Sequence, residues 1–283
     1  MSISGVDEVF RSSQGRSCHP GGTLDREGKD RKSFEALIRF LGQKEPSAVF
    51  PYPPMLEIGK FFLGTPYTTG TLETKGAEHV IVNLRQVDCV TFVENVIALA
   101  WHLRSHKKSF NAFRKLLQKV RYRQGRVQGY ASRLHYFSDW IRDNQRKGIV
   151  KEVTMEIGGK PLKKAVGFMT AHPDLYPRLG DEANLRKMKA AERTISTRSL
   201  AFIPKKEVRQ VEDRIRDGDI IAITTTAEGL DVQHVGFAAR VRRRIHLLHA
   251  SSREGKVVLS KETLYRYLMQ SRARSGVMVA RVC

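Results

Sequence analysis

The chain has 283 residues, 41% hydrophobic and 28% charged, with 50 Lys and Arg against 29 Asp and Glu, so its formal net charge is +21. That length suits one large domain or two ordinary ones, and the composition is that of a soluble globular protein, with no low-complexity tract and no apolar run of the roughly 18 residues that span a membrane. The three cysteines, Cys18, Cys89 and Cys283, make neither a disulfide framework nor a zinc-ribbon spacing, and their odd number leaves at least one free thiol.

A field this basic attracts polyanions such as nucleic acid, anionic lipid or the carboxylate-rich bacterial cell wall; a proteome with a basic bias would give the same charge. No zinc finger, RNP-type aromatic sequence or heptad repeat singles out nucleic acid, which is therefore not an expected partner. The N-terminus, MSISGVDEVFRSSQGRSCHPGG, lacks the apolar core of a signal peptide. The expected location is periplasmic or secreted if a leader has been removed, and otherwise cytoplasmic.

In chain order, residues 1–32 are polar and rich in Gly, Ser and Arg, and read as an arm. SFEALIRFLGQK (33–44) has the pattern of a short amphipathic helix and is followed by a Pro-rich turn, FPYPP. MLEIGKFFLG (55–64) predicts a helix with Pro54 at its start and Gly64 at its end. TPYTTGTLETKGAEH reads as a loop and VIVNL (80–84) as a short strand. From Cys89, the apolar positions Phe92, Val93, Val96, Ile97, Ala100 and Leu103 recur at helical spacing. SFNAFRKLLQKV (109–120) predicts a second helix with a basic outer face, and RLHYFSDWIRDNQRKG (133–148) a third, closed by Gly148. Residues 150–205 read as irregular, with a GG turn and a basic helix around 181–193. DGDIIAITTT, DVQHVGFAARV, RIHLLHASS and GVMVARV then read as short strands. Helices first and strands last point to an α+β fold.

The chemistry centres on NLRQVDCVTFVENV (83–96). If a helix starts at Cys89, Asp88 is its natural N-cap and the thiol sits at the positive end of the helix dipole. Such a site, with an imidazolium nearby, lowers a thiol from about 8.5 into the range of roughly 3.5–7.5. A free backbone amide there can also donate to an oxyanion. Cys89 equally lies on the helix's apolar stripe, where a cysteine serves as a core residue.

Two histidines supply what a nucleophile would need. Strand alternation places Val232, His234, Gly236 and Ala238 on one face, and Ile245, Leu247 and His249 on one face with His246 on the other. A hairpin turning near Val241–Arg242 sets His234 opposite His249, where Cβ atoms lie about 4.5–5.5 Å apart. One imidazole can then act on the thiol while the other orients it, and the small Gly236 and Ala238 leave room for a helix to pack close. A zinc site on Cys89, His234 and His249 is the competing use, but it lacks a motif such as HExxH. The remaining histidines, His79, His102, His106, His135, His172 and His246, show no metal spacing, so no metal or organic cofactor is expected.

With those residues in place, the sequence resembles the NlpC-like papain-fold superfamily of cell-wall peptidases. The resemblance runs through LGTPY (63–67), VDCVTFVENV (87–96), DGDIIAI (217–223), DVQHVGFA (231–238) and LLHASS (247–252), in that order. It is closest to a branch described as N-acetylmuramoyl-L-alanine amidase-like, through GTPYTTGTLE, VNLRQVDCVTFVEN, RLHYFSDWIRDN and GLDVQHVGFA, over roughly residues 55–283. It implies a papain-like α+β fold, with a nucleophile helix on a small antiparallel sheet. A single catalytic domain at 51–283 is expected, with the N-terminal arm at 1–50 outside the match. Cys89 would be the nucleophile, His234 the general base, His249 the third residue, and Tyr67 a substrate or oxyanion-side contact. D-C-V-T replaces the commoner D-C-S-G, and a largely helical insertion at about 105–205 is expected to form one wall of the cleft. Arg133, His135 and Tyr136 of that insertion, with Asp88 beside the nucleophile, are the expected substrate contacts, Arg133 pairing with a stem-peptide carboxylate.

The implied activity is amide hydrolysis through a thioester on peptidoglycan fragments or muropeptides, between N-acetylmuramic acid and L-alanine or within the stem. The same fold hosts acyltransferases. A catalytically dead cell-wall binder, whose thiol would alkylate slowly without ionisation well below 8.5, and a salt-sensitive nucleic-acid binder are the readings from other classes.

Overall fold

The computed structural model describes residues 23–42, 55–74, 76–105 and 109–283. Cys18, His106, the FPYPP turn with Pro54, and the arm before residue 23 lie outside them. The first half is helical: α1 (Thr23–Gly42), α2 (Met55–Phe61), α3 (Cys89–Arg104), α4 (Phe110–Arg121) and α5 (Phe137–Arg146). Next come β1 (Val150–Glu152), β2 (Lys160–Lys163), the one-turn α6 (Phe168–Ala171), α7 (Glu182–Ser196), β3 (Ser199–Pro204) and the one-turn α8 (Val208–Val211). The chain closes with β4 (Ile220–Thr225), β5 (Val232–Val241), β6 (Arg244–Ser251), β7 (Lys256–Thr263), α9 (Leu264–Met269) and β8 (Arg274–Val282).

The eight strands form one sheet in the order β2-β3-β8-β4-β5-β6-β7, with β1 also pairing β8. All the pairs are antiparallel. Strand alternation divides the core in two. On one side Phe92, Val93, Val96 and Ile97 of α3 pack with Ala222, Phe237, Leu248 and Met278, and Phe34 and Leu37 of α1 belong to the same cluster. On the other, Ile221, Ile223, Ala238, Leu247 and Val277 pack with Leu264 and Leu268 of α9. The fold is thus a mixed α+β arrangement with helices on an antiparallel sheet, and no helix among the described residues is long and apolar enough to cross a membrane.

Several expectations need correction. VIVNL is not a strand. Its backbone is satisfied by side chains instead: Arg121 Nη1 donates to the Ile81 carbonyl at 2.6 Å, Asn95 Nδ2 to the Asn83 carbonyl at 2.8 Å, and Asp30 Oδ1 accepts from the Leu84 amide at 3.2 Å. The 150–205 segment is not irregular around one helix, because β1, β2 and β3 lie within it and join the sheet. The predicted helix at 33–44 begins earlier, at Thr23, and residues 133–136 precede α5 rather than opening it. β7 and α9 carry no clear periodic signal and are additions to the predicted elements.

Candidate active site

α3 begins at Cys89 because Asp88 caps it. Asp88 Oδ1 accepts from the Thr91 amide at 2.7 Å and from the Thr91 hydroxyl at 2.8 Å, and that hydroxyl accepts from the Asp88 amide at 2.9 Å. Thr91 of D-C-V-T therefore closes a capping box. Asp88 spends one carboxylate oxygen on this cap, so its role is to fix the turn that opens α3 at Cys89. The preceding residue is held as well: the Val87 amide donates to the Pro66 carbonyl and the Thr68 amide to the Val87 carbonyl, both at 3.0 Å. The Tyr67 amide in turn donates to the Gly255 carbonyl at 2.8 Å, which ties the GTPY turn to the start of β7.

Cys89 is a free, half-buried thiol. Its resting state is the opposite of the lowered one expected. Burial first, and then the Asp88 carboxylate, push it up to about 12, although the amides of Val235, Cys89 and Val90 pull the other way. Slow alkylation of the free chain is therefore expected of an enzyme and of a dead binder alike, and turnover is what separates them. Tyr67 stands close enough to feel the Cys89 thiolate; burial, Cys89 and Asp88 all push its phenol up.

His234 on β5 and His249 on β6 meet directly, Nε2 to Nδ1 at 2.6 Å. They do so in a different register from the one expected. The turn falls at Arg242–Arg243, both with positive φ (47° and 69°), so Val241 pairs with Arg244 and Phe237 with Leu248. Continuing that register sets Gly236, not His234, opposite His249. A one-residue displacement of the turn moves the pairing by two, which keeps both histidines on the same face. His234 then reaches His249 diagonally, across the position where Gly236 has no side chain. A Cβ on Gly236 would lie 2.8 Å from both His249 Cβ and the Leu248 carbonyl oxygen. Gly236 thus makes room for the imidazole. It does not make room for the helix, since α3 packs on the other face of the strand, where Phe92 meets Phe237 edge-on with ring centroids 5.7 Å apart.

Both imidazoles are held neutral. Burial, then the neighbouring His249 and Arg274, keep His234 well below the usual imidazole range; burial and Arg274 bring His249 down to about 4. The pair opens into a cleft of about 520 Å³ whose lining includes Tyr67, Gln233, His234, His249, Tyr267 and Arg274. Tyr267 of α9 sits over the pair, its ring centroid 5.5 Å from that of His249 and 6.3 Å from that of His234.

The structure does not bring Arg133, His135 and Tyr136 to this cleft, whose lining residues all come from outside 105–205. Arg133 is 8% exposed; its Nε and Nη2 donate to Glu78, each at 3.0 Å, and its Nη1 to Glu73 at 2.7 Å. Its fork is thus taken by internal carboxylates. His135 is placed 3.0 Å from the Tyr130 carbonyl and brought down to about 3 by burial and then Arg133. The buried Tyr136 hydroxyl donates to Glu192 at 2.7 Å and accepts from the Met169 amide at 2.9 Å, a structural role. Tyr267 and Arg274 are among the cleft residues that sequence reasoning missed. Neither belongs to a local motif, and the only hint is an aromatic and a cation flanking the last strand.

An antiparallel sheet flanked by helices, with a thiol at a capped helix N-terminus and a bonded imidazole pair opening into a cleft, defines a mixed α+β protein. The chain matches the family model described as AmiA-like, N-acetylmuramoyl-L-alanine amidase-like, over residues 57–277, and it belongs to that family. It is similar to the crystal structure of an N-acetylmuramoyl-L-alanine amidase from Bacteroides uniformis ATCC 8492, with 39% identity and a TM-score of 0.77 over 81% of this chain and 97% of that one. A Bacteroides fragilis structure that bears a provisional xylanase designation is also 39% identical, with a TM-score of 0.75 over 80% of this chain and 99% of that one. Protein LPG0564 from Legionella pneumophila shares the fold at 23% identity, with a TM-score of 0.67 over 92% of this chain and 97% of that one. No curated protein matches the chain.

Proposed function

We propose that the chain is a cysteine amidase of the papain-like NlpC type that hydrolyses the bond between N-acetylmuramic acid and L-alanine in peptidoglycan fragments. The observation that carries this reading is the Nε2–Nδ1 bond between His234 and His249 beside Val235, whose amide faces the Cys89 sulfur. The family and the 39% identical amidase support the substrate class. The family match at 57–277 supports the reading of one catalytic unit from residue 51 onward.

The tautomers set the roles. With both rings neutral, one nitrogen of the 2.6 Å bond carries the proton. If His234 Nε2 donates to His249 Nδ1, His234 Nδ1 is left as the acceptor that takes the thiol proton. His249 then acts as the orienting group. Because thiol and imidazole are both neutral at rest, proton transfer accompanies attack on the carbonyl carbon and does not precede it. The Cys89 amide, at the first turn of α3 where no intrahelical carbonyl takes it, donates to the developing oxyanion. Collapse expels the L-alanine amine, which takes the proton from His234 Nδ1, and leaves a thioester on Cys89. Water, deprotonated by His234, then releases the muramoyl carboxylate.

Mass spectrometry of digested muropeptides tests the reading. The expected products are a peptide with a free N-terminal L-alanine and a glycan with a free lactyl carboxylate, both absent with Cys89→Ala. Fragments that keep the muramoyl–alanine bond would make the chain a stem endopeptidase, and intact substrate would end the enzyme reading.

A further inference from the structure

We infer that Arg274 forms a carboxylate-binding subsite beside the imidazole pair and gives the enzyme a preference for muropeptide stems with a free carboxylate over amidated ones, an inference that rests on the muropeptide reading above.

Arg274 opens β8 and lines the same cleft as Tyr67, His234 and His249. Its guanidinium stacks on Tyr267, 3.9 Å from the ring centroid, and Nη1 donates to the Tyr267 carbonyl. Both anchors come from one residue, so the planar fork is fixed in place before any ligand arrives. One of its five N–H donors is used in this way, whereas Nε is buried and has no partner. Among the described residues no carboxylate forms an ion pair with it, although Glu254 and Glu262 line the same cleft. Arg133, Arg198, Arg244 and Arg281, by contrast, each sit on an internal carboxylate. Arg253 and Lys261 also reach the cleft, but from exposed positions, where the side chain must be ordered on binding.

A half-buried, stacked guanidinium with a free donor edge, in a cleft of about 520 Å³, matches a carboxylate. An amide offers no charge and directs its NH₂ donors at a group that can only donate. Its depression of both histidines fits a fixed positive charge near the reacting end of the cleft.

The test uses the full chain and one matched pair of muropeptides, identical except that the stem carboxylate of one is amidated. Wild type is expected to show a lower KM for the acid stem, and Arg274→Gln to reduce that preference roughly ten- to hundredfold, with Arg274→Lys recovering part of it. A structural role for Arg274 would lower stability and kcat for both stems without altering their KM ratio. Equal KM values for the two stems in wild type, or an unchanged ratio in Arg274→Gln, overturn the inference while the amidase reading stands. Turnover of neither stem by wild type ends both.

Discussion

At Cys89 two local effects oppose each other. The end of α3 points amide dipoles at the sulfur, but burial and Asp88 outweigh them and leave the thiol neutral, just as burial keeps His234 neutral. In the proposed mechanism His234 takes the proton as attack proceeds, so Cys89→Ser and His234→Ala are each expected to abolish turnover with little loss of stability. His249→Ala should leave residual activity, since an orienting group is more dispensable than a base. Because the three act as a unit, the Cys89→Ser and His234→Ala double variant should be no worse than Cys89→Ser. Full activity in Cys89→Ala would remove the cysteine from the mechanism. The imidazoles also make stability depend on pH. His249 is brought down to about 4 from 6.5, so on acidification the unfolded chain takes up this proton first. The stabilisation of the neutral ring is complete above about pH 6.5 and is lost as pH falls toward about 4, a total on the order of 3 kcal/mol. Urea midpoints measured from pH 7 to pH 4 should fall more steeply for wild type than for His249→Asn, and parallel curves would contradict the depressed value.

At the scale of elements, the site depends on one glycine in β5. The Cβ of Gly236→Ala would meet His249 Cβ and the Leu248 carbonyl oxygen at 2.8 Å and Leu247 Cδ1 at 3.0 Å. Backbone oxygen cannot yield as a flexible side chain does, so His249 must shift. The expected cost is about 1–3 kcal/mol in stability and up to about a hundredfold in kcat, read from thermal melts and steady-state rates. A melt like that of wild type with unaltered kcat would show that the strands tolerate the methyl group. The same hairpin shows what was legible in the sequence. Its strands and the shared face of the two histidines follow from alternation, but the turn does not. Arg242 and Arg243 adopt positive φ without the Asn or Gly that normally marks such a turn. Likewise α3 and α4 are readable from period 3.6, and Ser109 caps α4 as its position suggests. By contrast β1 (VKE) and β2 (KPLK) are short, charged or proline-bearing, and become strands only because distant β8 and β3 supply partners. The apolar VIVNL run fails for the converse reason: side chains from α1, α3 and α4 take its backbone bonds before any strand can.

At the scale of the whole molecule, the first core extends past residue 51 toward the N-terminus. Phe34 of α1 stacks on Phe113 with centroids 5.3 Å apart and meets His102 and Phe110 edge-on at 5.1 and 5.5 Å. Leu37 beside it is fully buried. One turn earlier Asp30, 1% exposed, accepts from the Leu84 amide at 3.2 Å and from Arg85 Nε at 3.1 Å. That contact pins the segment running into Val87, Asp88 and Cys89, so α1 supports the start of α3 from behind. A tail that merely lies on the surface would lose little on truncation of an aromatic, whereas a ring in a packed cluster costs about 3–5 kcal/mol when cut to alanine. Phe34→Ala is therefore expected to lower the urea midpoint by an amount equivalent to that range. Asp30→Ala, which leaves the core intact but frees the 84–85 backbone, should lower kcat more than stability. Both effects can be measured on one set of proteins by denaturation and by muropeptide turnover. A Phe34→Ala chain with wild-type stability would show that the folded unit begins after α1, at the boundary near residue 51 read from the sequence.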